Sequence, residues 1–319
     1  MAVEARVGDR PEPRAGGILG AALAAVLLFS VVYVAPVLWI VATVAPFPLA
    51  VHRLNRGLAN GLLATLLAAT LVAWLFTPLQ AAKFLLVLVL PGFLIVEAVV
   101  RGRGLRRGAA WAFLVLAAET TAALLVLGPR MASGILAHLD EFRSPQFLAE
   151  LQKQMQWPQQ RVDEIAESAS ALHSAMEVVY PGAFFVLAAM MVLLNAALIR
   201  AYLARRDPAW LDGSEFEGLR FSLALPALFV MGGALVAFVP LRAVGYNVVL
   251  VTAFFFAVQG LAVVAYFAHR LAGPLFLRVG LLGLVLLNPW APHILALLGL
   301  FDAWADFRRW ADPPAPERE

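Results

Sequence analysis

Apolar runs of about twenty residues recur along the chain, parted by short basic turns. A helix needs roughly 20 apolar residues to cross a hydrocarbon core of ~30 Å. Residues 18–34, 57–76, 81–100, 108–127, 183–203, 221–239 and 248–267 meet or approach that length. Residues 37–51 form a shorter apolar piece bracketed by Pro36, Pro46 and Pro48, either a thin, tilted span or a re-entrant one. Residues 279–300 are interrupted at Asn288-Pro289-Trp290-Ala291-Pro292. They either cross once with a kink or turn back as a hairpin, and the following Arg308 and Arg309 favour the hairpin. The pattern predicts an all-α, polytopic transmembrane helical bundle of about eight or nine membrane segments. A Pro91-Gly92 kink is expected in the middle of the fourth apolar stretch.

One long stretch is polar, from about Gly128 to Tyr180. Within it Ser144-Pro145 reads as an N-cap followed by proline at the first helical position. Phe147, Leu148, Leu151 and Met155 then share one helical face, and Trp157-Pro158 ends that helix. A second helix is expected from Gln159 to Val179, with Val162, Ile165, Ala169, Leu172 and Met176 along one side and Pro181-Gly182 marking the re-entry. The organisation that follows is a disordered cytosolic tail (1–16), an N-terminal membrane half (17–128) and an amphipathic helical pair outside the cytoplasm (129–180). A C-terminal membrane half (181–300) and a cytosolic interfacial helix with its tail (301–319) complete it.

Charge sets the orientation. Arg101, Arg103, Arg106 and Arg107 crowd one turn, which places that turn in the cytosol. From Pro129 to Ala175 the chain carries four Lys or Arg against six acids, the opposite balance, as suits the outer side. The N-terminal apolar run follows several arginines and continues into further membrane sequence, so it reads as a signal anchor with a cytosolic N-terminus. Of the 319 residues 62% are hydrophobic and only 14% charged, too apolar for one water-facing core. The absence of cysteine excludes disulfides, thiolate catalysis and Cys-ligated metal. The five histidines show no metal-ligand spacing. No facing catalytic pair stands at helical spacing, so the chain reads as a non-enzyme with no cofactor. Lipid is the partner that the composition demands, with other membrane subunits admitted and nucleic acid not expected.

The segment GLAVVAYFAHRLAGPLFLRVGLLGLVL (260–286), the segment LLGLFDAWADFRRW (297–310), and Asn195 with the basic residues that close its span resemble the YybS-like family of bacterial membrane proteins. The likeness extends to the overall plan of an apolar N-terminal half and an outer amphipathic helical pair. Its N-terminal half in turn looks distantly like the S components of energy-coupling-factor vitamin transporters and like the rod-shape protein MreD. That likeness implies a solute-binding, transport-like protein of the bacterial inner membrane with no ATPase of its own. It also implies a small-residue docking face on the first helix, here Gly17, Ala21 and Ala25.

Ionisable groups at bilayer depth cost about 2.5–3.5 kcal/mol, so they need a reason. Glu119 lies in the middle of its span, Gln259 in the middle of another, and Asn288 at the proline break. Lys83, entering from the outer side, is the candidate partner of Glu119. One reading gathers Glu119, Gln259, Asn288 and Lys83 in a polar cavity; the other makes them a buried cluster that fixes helix register. Glu97 stands four residues before Arg101 and reads as a structural ion pair. In the last helix Leu300, Trp304 and Phe307 fall on one face and Asp302, Asp306 and Arg309 on another, an interfacial anchor or a docking helix for a partner. Two functions therefore stand side by side, small-solute binding with a transport-like role and a scaffold that recruits envelope or cytosolic proteins. The topology is directly testable. Single cysteines at Ser168, Gly102 and Ala311 should react with a membrane-impermeant thiol reagent in intact cells only at Ser168.

Overall fold

The computed structural model describes residues 15–34, 39–207, 210, 214–270, 283 and 290–311. The expectations for both tails, for Asn288 and for the course of residues 271–289 fall outside them, Gly283 apart. Every regular element among the described residues is helical: α1 Ala15–Val34, α2 Trp39–Ala42, α3 Pro46–Arg56, α4 Leu58–Leu75, α5 Pro78–Lys83, a π-helical stretch Phe84–Val89 and α6 Leu90–Val100. The chain continues with α7 Leu105–Arg143, α8 Pro145–Met155, α9 Gln159–Ala204, α10 Ser214–Glu217, α11 Ala224–Ala237, α12 Arg242–Arg270, α13 Ala291–Ala305 and α14 Phe307–Ala311. Among the described residues six helical stretches are long and apolar enough to cross a membrane, and α11 and α13 are shorter apolar helices. Leu27, Leu66, Trp74, Leu125, Val126 and Leu223 are among the large apolar side chains left bare on their outer faces. In water such faces would be a liability; in lipid they are the solvated surface.

The polar stretch departs from its expected borders. The Ser144 hydroxyl does accept from the Phe147 N–H, and Gln156 ends α8 in the left-handed region at φ 54°. But α7 runs on through Pro129 and α9 runs on through Pro181. The polar pair is thus an extension of two apolar helices rather than a separate insert. At 1.5 Å per residue α7 is about 58 Å long and α9 about 69 Å, roughly twice the hydrocarbon thickness. Pro181 is tolerated because a side chain mends the ladder beside it. Asn247 Nδ2 donates to the Val178 carbonyl at 2.8 Å, and Asn247 Oδ1 accepts from the Gly182 N–H at 2.5 Å. The amide thereby reaches both groups that an i→i−4 bond would have joined. Asn247 sits in the first turns of α12, not in the break that the apolar runs 221–239 and 248–267 leave between them.

Two compact units divide the chain. The first comprises residues up to Ala123 and Leu187–Asp212. Here α1, α3 and α4 pack through small residues: Ala22, Ala25, Ala45, Ala64 and Ala68 are fully buried together with Leu49, Val72 and Phe84. Small side chains let backbones approach where lipid supplies no hydrophobic drive between helices. Phe29 meets the edges of Phe76 and Phe84 at one end of this core. A second cluster joins Ile95, Val96 and Val99 of α6 to Leu105, Ala112, Leu116 and to Val192 and Ile199.

The second unit comprises Leu124–Val186 and Gly213 onward. Its tightest seam is between α12 and α13. A Cβ placed on Gly260 would overlap the Leu295 carbonyl oxygen, and one on Gly299 would overlap that of Phe256. Near the start of α12, a Cβ on Gly245 would come within 2.6 Å of the Val236 nitrogen. Overpacking of this kind costs about 1–3 kcal/mol or more. Gly260→Ala and Gly299→Ala are each expected to lower the melting temperature of the detergent-solubilised protein clearly. Gly233→Ala, which meets nothing within 4 Å, should leave it unchanged or raise it slightly.

Candidate functional site

In the first unit two interrupted helices meet. The apolar piece at 37–51 is neither a single span nor a continuous helix, for α2 and α3 are parted by a turn at Thr43–Ala45. Pro46 and Pro48 begin α3 and cannot donate, so the turn closes instead through shorter bonds, Val44 N–H to Val41 O and Phe47 N–H to Val44 O. The neighbouring stretch does not simply kink at Pro91. The ladder widens ahead of it, with the Leu90 N–H reaching back five residues to Leu85 O. A π turn absorbs the bond that proline forfeits, and such turns gather at functional sites. The two breaks touch: a Cβ on Gly92 would stand 2.9 Å from Pro46 Cβ.

Asn195 of α9 ties this junction down. Its Nδ2 donates to the Thr43 carbonyl and to the Met191 carbonyl, both at 2.9 Å. The residue is only 3% exposed, and its Oδ1 has no partner among the described residues. Asn195 lies nine residues before the end of α9 at Ala204, about 14 Å along the axis. That is close to half the depth of the hydrocarbon core. Unwound backbone within hydrocarbon persists only where protein or a cavity satisfies it.

The residues expected to line a polar cavity are placed as follows. Glu119 is half-buried on α7 in the first unit, and its Oε2 has no partner among the described residues. Lys83 is exposed at the end of α5, and no ion pair joins it to Glu119 among the described residues. Gln259 belongs to the second unit and has partners of its own there. Asn288 lies outside the described residues. Thr121, not among those expected residues but two along from Glu119, donates its hydroxyl to the Ala117 carbonyl at 2.8 Å.

Glu97 is indeed bonded to Arg101, at 3.1 Å, and it takes a second arginine that spacing could not reveal. Arg53 of α3, 8% exposed, meets its other oxygen at 2.9 Å. Gly61 makes room for that arginine, since a Cβ there would stand 2.8 Å from Arg53 Cβ. Nearby, the Tyr202 hydroxyl donates to Asn55 Oδ1 at 2.7 Å.

The second unit holds a larger polar cluster. Gln259, Asp302 and Arg308 are all buried. Asp302 Oδ2 accepts from Gln259 Nε2 at 2.9 Å and from Arg308 Nη2 at 2.5 Å. Gln259 Oε1 accepts from the Phe221 N–H, and Arg308 Nη1 donates to the carbonyls of Glu217 and Leu219. The cluster thus fastens the segment after α10 to α12 and to the C-terminal helices. Asp306, at φ 48°, turns the chain between α13 and α14 so that Arg308 folds back on Asp302. Asp306 itself takes both nitrogens of the Arg220 fork. Burial opposes its ionisation. Hydrogen bonds from Arg220 and the Arg309 N–H, with the charges of Arg220 and Arg308, outweigh that and hold its carboxyl below the ordinary aspartate value.

These placements change two expected docking surfaces. Ala25 is fully buried, Ala21 packs against the same core and Gly17 faces His52, so the small-residue stripe of α1 serves the chain's own packing. The C-terminal helix is turned inside out relative to a surface anchor. Asp302 points into protein, while Leu297, Phe301 and Trp304 are more than half exposed. The amphipathic reading assumed water on the polar side; here Asp302 on that side faces protein, Arg309 stays exposed, and Trp304 on the apolar side is left for lipid.

Residues 22–303 match the family described as "Predicted membrane protein (DUF2232)". No curated protein and no solved structure matches the chain.

Breaking one side of a buried ion pair strands the other charge, at a cost of about 3–5 kcal/mol, whereas replacing both by apolar residues is often neutral. Arg308→Met alone is therefore expected to destabilise the protein strongly in a detergent thermal melt. The double variant Asp302→Leu with Arg308→Met should recover most of the loss.

Proposed function

The chain belongs to the DUF2232 family of predicted membrane proteins, and on that premise we propose that it binds a small solute in a transport-like role. It is a multi-pass membrane protein, and we place it in the bacterial cytoplasmic membrane with its N-terminus in the cytosol. The observation that carries the reading is the pair of interrupted helices meeting at Pro46 and Gly92 within the apolar first unit. Discontinuous helices at the midplane are where membrane transporters build their solute and ion sites. Asn195 Oδ1, buried and unpartnered among the described residues, supplies an acceptor beside that junction. A solute bearing an N–H or O–H group is the chemistry it fits. Glu119, on a neighbouring apolar helix of the same unit, adds an ionisable group. The chain has no nucleotide-binding motif, so energised transport would draw on partner subunits.

A second reading, a scaffold for envelope proteins, is favoured by a different observation. No residue of α8 is buried, and Phe142, Phe147, Met155 and Leu172 are exposed along the outer helices. Crosslinking from Phe147 and Leu172 separates the two readings, since a scaffold returns a defined envelope partner there and a solute binder need not.

The first reading is tested by native mass spectrometry of the purified protein. Wild type is expected to retain a small molecule, Asn195→Ala to lose it, and Glu119→Gln to weaken its retention. An Asn195→Ala protein of unchanged helicity that retains the same molecule as wild type would overturn the reading.

A further inference from the structure

The turn between α6 and α7 holds a concentration of positive charge, of which only Arg101 has an ion-pair partner among the described residues. Arg103, Arg106 and Arg107 are exposed, and no ion pair engages them among the described residues. Glu97, the carboxylate on the preceding helix, is already taken by Arg53 and Arg101. The turn itself is open. Gly102 and Gly104 adopt φ of 69° and 84°, and a Cβ at either would meet nothing within 4 Å. Charge left without an ion-pair partner on a turn between two packed helices is available to an anion from outside.

What lies directly below decides which anion. The Arg103 guanidinium rests 5.0 Å above the Trp111 ring. One helical turn separates Arg107 from Trp111, and the same face continues through Leu114, which is 63% exposed, to exposed Ala118. A cationic head thus passes straight into a bare apolar stripe. A free phosphate ion would use the head and waste the stripe. A lipid with an anionic headgroup uses both, its phosphate in the arginine forks and its acyl chain along α7. Arginine forks match phosphate oxygens two at a time. Tryptophan beside arginine suits the level at which headgroup and chain meet.

We infer that the Arg101–Arg107 turn of this protein is a specific binding site for an anionic phospholipid, held by Arg103, Arg106 and Arg107 and seated on Trp111 and Leu114. The inference is independent of the solute-binding reading, for it uses none of the residues at the helix breaks. It makes the lipid a bound component on the side of the membrane that carries the basic turns.

The test titrates the full chain, purified in a neutral detergent, with phosphatidylglycerol or with phosphatidylcholine of the same acyl chains, and counts retained lipid by native mass spectrometry. Wild type is expected to hold phosphatidylglycerol well above phosphatidylcholine. The triple variant Arg103→Gln, Arg106→Gln, Arg107→Gln should need roughly a hundredfold more phosphatidylglycerol for the same occupancy. A charge-matched control, Arg130→Gln, Lys153→Gln, Arg161→Gln on the outer helices, should bind as wild type does. Equal loss in the control would show attraction by net charge alone and overturn the site. So would undiminished binding in the triple variant, or displacement of the lipid by inorganic phosphate at equal concentration. If the triple variant fails to fold, Arg106→Gln and Arg107→Gln singly carry the test, each expected to weaken retention about fivefold. Two single variants that bind as wild type does would overturn it equally.

Discussion

Hydrocarbon offers no hydrogen bonds, so each backbone N–H and C=O inside it must find a partner within the protein. Regular helices meet that demand automatically, and the interest of this molecule lies where they do not. Proline interrupts the ladder at several depths, and each interruption is met differently. At Pro181 the Asn247 amide bridges the groups left on either side. At Pro91 the ladder widens to a π turn. At Pro46 the helix stops altogether, and Asn195 reaches in from α9 to cover the Thr43 carbonyl. Threonines at Thr65, Thr70 and Thr252 follow the same rule more simply, turning their hydroxyls onto carbonyls of their own helices.

Charge obeys a parallel constraint. Arg53 and Arg308 are as buried as many leucines, and each meets a carboxylate. Gly61 is a gap left for the stem of Arg53, while Asp306 is a bend that returns Arg308 to Asp302. By contrast the arginines of the α6–α7 turn are left facing outward. The chain thus separates two kinds of arginine, one that fixes helices to each other and one that faces the surroundings.

Much of the architecture was legible from the residues alone. Length and apolarity identified the long helices, and Ser144-Pro145 located the start of α8, because these depend on neighbours in sequence. The Glu97–Arg101 pair was readable for the same reason. The second partner, Arg53, lies 44 residues away from Glu97, and no spacing rule reaches that far. The border at Pro181 was misplaced because proline ends most helices in water, where freed carbonyls can be hydrated; here an asparagine from another helix keeps the helix going. Asn247 carries no local signal for that task. The polar face of the C-terminal helix was assigned to solvent by the same habit, although Asp302 faces Gln259 and Arg308. Asn288 and its surroundings lie outside the described residues.

The meeting of Gly260 and Gly299 has a genetic consequence. Every other encoded amino acid carries a Cβ, so any missense change in either codon brings an atom into a space already held by a carbonyl oxygen of the facing helix. Relaxing one partner does not help, because each glycine faces the other helix's backbone rather than a side chain that could shrink. Single-step drift is therefore closed at both positions, while bare leucines a turn away are free to exchange among apolar residues.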